Sequence, residues 1–208
     1  MKILLSILLC LTLTSCSRTG LYTQAEMDTI TNNLTDQMDA LYDERDSVGS
    51  KIKMYEVASR IQTWYANQGI NRPMSLIYET TRQAYDISPN FPPPKGLTAE
   101  TFTFYLITFA SIETDFNPLV QGKKGDSGIA QTLLKDYPRL IRKAKKRGLK
   151  FKDDIRSIRT GLICCAEEYN EKLILSKGDL YEAVVRYNGA RPYAKRFFRR
   201  YEVMRYGE

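Results

Sequence analysis

The chain has 208 residues, with 31 Lys and Arg against 24 Asp and Glu for a formal net charge of +7, and no histidine. Without histidine, the Ser-His-Asp and Cys-His nucleophile systems and the usual histidine-bearing zinc sites are excluded. Acid–base chemistry in this chain falls to Glu, Asp, Lys or Tyr.

The N-terminus reads as a targeting segment. Lys2 supplies a positive start, Ile3 to Leu13 an apolar core, and "LTSC" closes it at Cys16. So short an apolar run cannot span a bilayer, which takes about 20 residues, so it reads as a secretory signal. The ending resembles the bacterial lipoprotein signal, whose cysteine becomes the lipidated first residue of the mature chain. That resemblance implies a signal peptide over 1–15, acylation (palmitate included) on Cys16 and a lipidated tether over 16–23. An ordinary signal peptide that happens to carry a cysteine is the alternative. Ser17 in place of Asp after the cysteine favours, by the same resemblance, the outer membrane, facing the periplasm. Of the other cysteines, Cys10 falls within the signal. Cys164 and Cys165 are adjacent, which in a helix points them about 100° apart and disfavours a disulfide. They read as small buried apolar residues.

Charge divides along the chain. Residues 17–120 carry 8 Lys and Arg against 13 Asp and Glu, whereas 121–208 carry 22 against 11. A basic half suits a polyanionic partner. For an exported, lipid-anchored protein, nucleic acid is not the expected one. Carboxylates of peptidoglycan peptides or anionic lipid headgroups fit better, and a solvated helix face such as "RKAKKRG" (142–148) is the alternative without a partner.

From Gln24 to about Gln68 the pattern is helical, with Met27, Ile30, Leu34, Met38, Leu41, Val48, Ile52 and Tyr55 at spacings of threes, fours and sevens. This stripe either docks on the domain that follows or pairs with another chain as a short coiled coil. Residues 24–66 therefore offer a surface for self-association or for an envelope partner. Gly49 is expected to divide the stretch into two helices. A further helix is predicted over 75–85, and "SPNFPPPKG" (88–96) is a loop that cannot continue it. The region 24–96 is thus an N-terminal helical segment, and 97–208 the main domain. Helices are predicted there over 98–113, 127–134, 137–147, 154–175, 179–188 and 191–205. Period-two alternation persists nowhere, so the fold class is mainly α with few or no strands.

The chemistry concentrates at "FASIETDFNP" (109–118). Thr98 is a plausible N-cap, and Phe102, Phe104, Tyr105, Leu106, Ile107, Phe109, Ala110 and Ile112 cover every face of the helix, which marks it as buried. Glu113 ends that helix, where desolvation and the negative end of the helix dipole both disfavour its ionised form. A carboxylic acid kept protonated near neutrality can protonate a leaving oxygen. Asp115, two residues on, is about 200° away around a helix and does not make a facing carboxylate pair with it.

Four further stretches follow in order: "GDSGIAQ" (125–131), "SIRTGLICC" (157–165), "AVVRYNGA" (183–190) and "PYAKRF" (192–197). Together with Glu113, Phe116, Asn117 and Pro118, their order and spacing resemble the soluble lytic transglycosylase domain, glycoside hydrolase family 23. The resemblance covers about residues 100–205. It implies an α+β lysozyme-like fold, a helical bundle around a glycan cleft. Glu113 would be the catalytic acid, and Tyr187 would hydrogen-bond near its carboxyl. Thr114, Ile129, Gln131 and Asn188 would bind substrate, with Tyr193 a looser match. The implied reaction cleaves the bond between N-acetylmuramic acid and N-acetylglucosamine in peptidoglycan strands and closes a 1,6-anhydro ring, with no cofactor and no metal. Thr114 stands where the family has serine, Ala130 where it has methionine, and Ser157 and Cys164 where it has asparagine and tyrosine. A lysozyme-type hydrolase using the same Glu and a non-catalytic peptidoglycan-binding lipoprotein are the two other readings.

Overall fold

The computed structural model of the protein describes residues 24–91 and 97–207. The signal segment, Cys16, the tether to residue 23 and the proline run 92–96 lie outside the described residues, as do the side chains of Met27 and Ile30. The chain divides into two units, Met1–Ile52 and Lys53–Glu208. Among the described residues no helix is long and apolar enough to cross a membrane.

Helix α1 runs without interruption over Gln24–Asn67. Gly49 does not divide it: a glycine inside an exposed helix costs only about 1 kcal/mol relative to alanine, and nothing lies within reach of its missing Cβ. In the first unit Leu41, Val48 and Ile52 are exposed. In the second, Val57, Ala58, Ile61 and Tyr65 on α1 are buried in the main core. The predicted boundary at residue 97 therefore does not separate cores, because apolar side chains from 57–91 complete the same cluster as those beyond 97.

The second unit is mainly helical. After α1 come α2 (Met74–Ile87), a 3₁₀ turn (Ser88–Asn90), α3 (Ala99–Thr114), a hairpin of β1 (Asp126–Ser127) and β2 (Thr132–Leu133), then α4 (Tyr137–Lys146), α5 (Ile158–Leu175), α6 (Leu180–Asn188) and α7 (Arg191–Tyr206). Helix α3 is the axis. Thr98 caps it, accepting from the Thr101 amide at 3.1 Å, and it packs on α2, α5 and α7. Its buried aromatic side chains meet those of α5 and α7: Phe109 lies 5.3 Å from the Tyr169 ring and 4.5 Å from Phe197, and Tyr105 lies 4.9 Å from Tyr201. Each such ring withdraws enough apolar surface to contribute about 1.5–3 kcal/mol.

The helix predicted over 127–134 is instead the two-stranded hairpin, pairing Asp126 with Leu133 and Ser127 with Thr132. Three left-handed residues prevent the helix: Gly125, Gly128 and Gln131, at φ of 76°, 80° and 49°. At Gly128 a side chain is also sterically barred, since a Cβ would lie 2.4 Å from the Ile155 carbonyl oxygen. Gly161 on α5 receives Ile129 in the same way, a Cβ there falling 2.9 Å from Ile129 Cγ2. The two motif glycines thus set how closely the hairpin lies against α5 and the loop before it.

Candidate active site

Glu113 lies in the last turn of α3, half-buried. Its Oε1 accepts a short hydrogen bond from the Tyr193 hydroxyl. Tyr193 comes from the first turn of α7 and is itself buried. Its position depends on a tight connection: Gly189, left-handed at φ 87°, ends α6, and α7 begins two residues later with Pro192 in its first turn. Burial raises the Glu113 pKa above the ordinary carboxyl value, and the Asp126 carboxylate on β1 adds to that. The Tyr193 hydroxyl and the Arg196 guanidinium oppose it, and the result is still a raised pKa. Protonated and ionised forms of this acid are therefore closer in free energy at neutral pH than for a solvated glutamate, as a group that must give and then take a proton requires.

Directly after Glu113 the backbone reverses through two successive left-handed residues without glycine, Asp115 at φ 50° and Phe116 at φ 65°. Each costs of order 1 kcal/mol or more and persists only where surroundings hold it. Phe116 is fully buried, 5.9 Å from the Tyr65 ring. Asp115 accepts from the Tyr65 hydroxyl at 3.0 Å and from Arg72 at 3.0 Å. Arg200 on α7 donates to Tyr65 Oη at 3.0 Å and to Ser111 Oγ at 2.7 Å, and its guanidinium sits 4.3 Å from the Trp64 ring. Burial pushes the Tyr65 phenol up to about 12, so it stays a donor and acceptor throughout the physiological range. This network, one turn from Glu113, ties α1, α3 and α7 together. Local patterning did not reveal it, because its members are spread from Trp64 to Arg200.

The remaining predicted site residues take other roles. Tyr187 does not bond to Glu113; its hydroxyl donates to the Ala130 carbonyl at 3.2 Å and approaches Cys165 Sγ at 3.6 Å, with its ring 4.3 Å from Phe109. The phenol that reaches the acid is that of Tyr193, which the motif match ranked lower. Thr114 is buried, donating to the Ile129 carbonyl at 2.8 Å, and Ile129 is fully buried, so both join the hairpin to α3 and present nothing to a ligand. Gln131 donates to the Val120 and Gly128 carbonyls, each at 3.1 Å, and closes the hairpin loop. Asn188 is exposed at the last position of α6. Cys164 and Cys165 are free and buried. Among the described residues no cluster of three or more His, Cys, Asp or Glu could hold a metal ion.

Comparison of the chain with known protein families, with characterised proteins and with solved structures finds no match.

Proposed function

We propose that the protein is a membrane-anchored peptidoglycan lytic transglycosylase with a lysozyme-like domain, acting through Glu113 alone as acid and then base. The observation that carries this reading is the state of Glu113: a half-buried acid at the end of an apolar helix, with raised pKa and a single phenol on its carboxylate. The five motifs in order support it, as does the hairpin that follows the acid-bearing helix. In the proposed reaction Glu113 protonates the glycosidic oxygen beyond the muramic residue. The substrate's acetamido group stabilises the cation that develops. The Glu113 carboxylate then takes the proton of the muramic C6 hydroxyl, whose oxygen closes the anhydro ring, and the acid is regenerated without water. Asp115 takes no part, being held by Tyr65 and Arg72.

The test is digestion of purified sacculi with products read by mass. Anhydro-muropeptides, one water lighter than hydrolysis products, are expected. A second reading is hydrolysis by the same Glu113. Products carrying the extra water would establish it. Sacculi bound but left intact would establish the non-catalytic lipoprotein instead.

Tyr193 is a positioning residue in this scheme. Tyr193→Phe removes a donor that favours the ionised acid, so the Glu113 pKa rises further. The alkaline limb of the rate profile is then expected to move to higher pH, with turnover reduced on the order of tenfold to a hundredfold. An unmoved limb would exclude the role.

The envelope location rests on Cys16. Cys16→Ala is expected to move the protein from the membrane fraction to the soluble fraction, since several acyl chains at about 0.8 kcal/mol per buried methylene hold the chain to a bilayer. Retention of the variant in membranes would refute lipid anchoring at this residue.

A further inference from the structure

Around the start of α5 lies a cavity of about 870 Å³ that the proposed reaction does not use. Leu119, in the loop after Glu113, supplies one wall, and Phe151 and Ile158 supply apolar surface around the start of α5. Leu119 is 68% exposed, an uncovered apolar side chain at the rim. Gly128 on the hairpin abuts the Ile155 carbonyl, between the cavity residues Asp154 and Arg156. One loop therefore leads from Glu113 to the cavity, and the hairpin packs on the segment that walls it.

Four cations, Lys150, Lys152, Arg156 and Arg159, line this cavity against two carboxylates, Glu79 and Asp154. The carboxylates are already engaged: Glu79 takes two bonds from Arg82, at 2.7 and 2.9 Å, and Asp154 accepts from the Arg156 backbone amide at 3.0 Å and from its side chain. Arg159 is engaged by Gln83, Asp86 and the Lys150 carbonyl. Among the described residues the ammonium groups of Lys150 and Lys152 form no ion pair, and both side chains are exposed. Apolar lining with two exposed ammonium groups outside any ion pair, of which Lys152 also acts on Asp154, suits a ligand that carries carboxylates on a chain of small apolar side chains. An N-acetylglucosamine chain carries no charge, and its methyl groups are confined to the acetamido substituents.

We propose that this cavity binds the carboxylate-bearing peptide carried by the muramic residues of the substrate, with Lys150 and Lys152 as its charge partners; the proposal rests on the peptidoglycan reading. Calorimetric titration of the full chain tests it with three probes: a synthetic stem tetrapeptide, its amidated counterpart and a peptide-free N-acetylglucosamine oligomer. The tetrapeptide is expected to bind with an affinity that falls as salt rises. Lys150→Gln with Lys152→Gln should weaken it about tenfold or more, and amidation should do the same. The peptide-free oligomer should bind both proteins equally. Equal tetrapeptide affinity in the two proteins would overturn the proposal. So would displacement by inorganic phosphate at the same concentration as the peptide, which would make the cavity a general anion site. Peptide binding requires no cleavage, so the two readings fail separately. A chain that binds the peptide through the lysines yet leaves sacculi intact loses the catalytic reading alone. One that cleaves sacculi with no sensitivity to the lysines loses this inference alone.

Discussion

Glu113→Gln is expected to lower the release of soluble muropeptides from sacculi by roughly 10³-fold or more, while binding to sacculi is retained. General acid–base assistance typically contributes about 10²–10⁴ in rate, and in the proposed reaction one carboxyl serves both steps. Glutamine keeps the shape and can still accept from Tyr193, so the loss isolates the proton. A variant with activity within a fewfold of wild type would remove Glu113 from the chemistry.

The same substitution has a signature in stability that does not depend on substrate. The Glu113 pKa is raised in the folded protein, so the folded state holds the proton more tightly than the unfolded one. Below the ordinary value of 4.5 both states are protonated and the residue imposes no electrostatic cost. As pH rises through the window between the unfolded and folded values, the folded state must ionise a half-buried group and loses stability. Glutamine has no such cost. Glu113→Gln should therefore unfold at higher temperature than wild type at pH 7, with the difference shrinking towards zero near pH 4. A wild type that is the more stable of the two at pH 7 would contradict the assigned direction.

The largest expected effect on folding lies away from the site. Glu167 on α5 is 1% exposed, and its Oε1 accepts from Arg147 Nε at 2.7 Å. Arg147 follows α4, keeps access to solvent and lies 4.8 Å from the Phe91 ring. Removing the arginine strands a carboxylate in the core, and breaking a buried pair in this way costs about 3–5 kcal/mol. Arg147→Ala should therefore lower the melting temperature by about 10 °C or more. Glu167→Gln should cost clearly less, because the guanidinium left behind can turn to water. Thermal unfolding of the two variants checks the order, and a smaller loss for Arg147→Ala would mean that Glu167 is not held by the pair.

Some of this architecture was legible residue by residue. The all-round apolar face over Phe102 to Ile112 announced a buried helix, Thr98 its cap and Glu113 its end, because helical periodicity and capping depend on neighbours a few positions apart. The adjacent cysteines, Cys164 and Cys165, read as core for the same local reason. The hairpin over 126–133 is not legible in this way: the pattern predicts a helix over 127–134, although Gly125 and Gly128 stand in and beside it. Its turn also depends on Gln131 adopting a left-handed conformation, which no local preference demands.

What the sequence by itself determined is a mainly helical chain with an acid at the end of its apolar central helix. The tertiary structure decided which groups meet that acid. Tyr193 rather than Tyr187 reaches Glu113, although the two are six positions apart on successive helices. The choice depends on how α6 and α7 join at Gly189 and pack against α3. It also decided that Asp115 faces Tyr65 and Arg72, and that the N-terminal helix shares its core with the rest of the second unit. Spacing along a helix specifies which side chains share a face. Hydrogen-bond partners dozens of residues distant are specified by packing, in which small changes in interhelical geometry exchange one phenol for another.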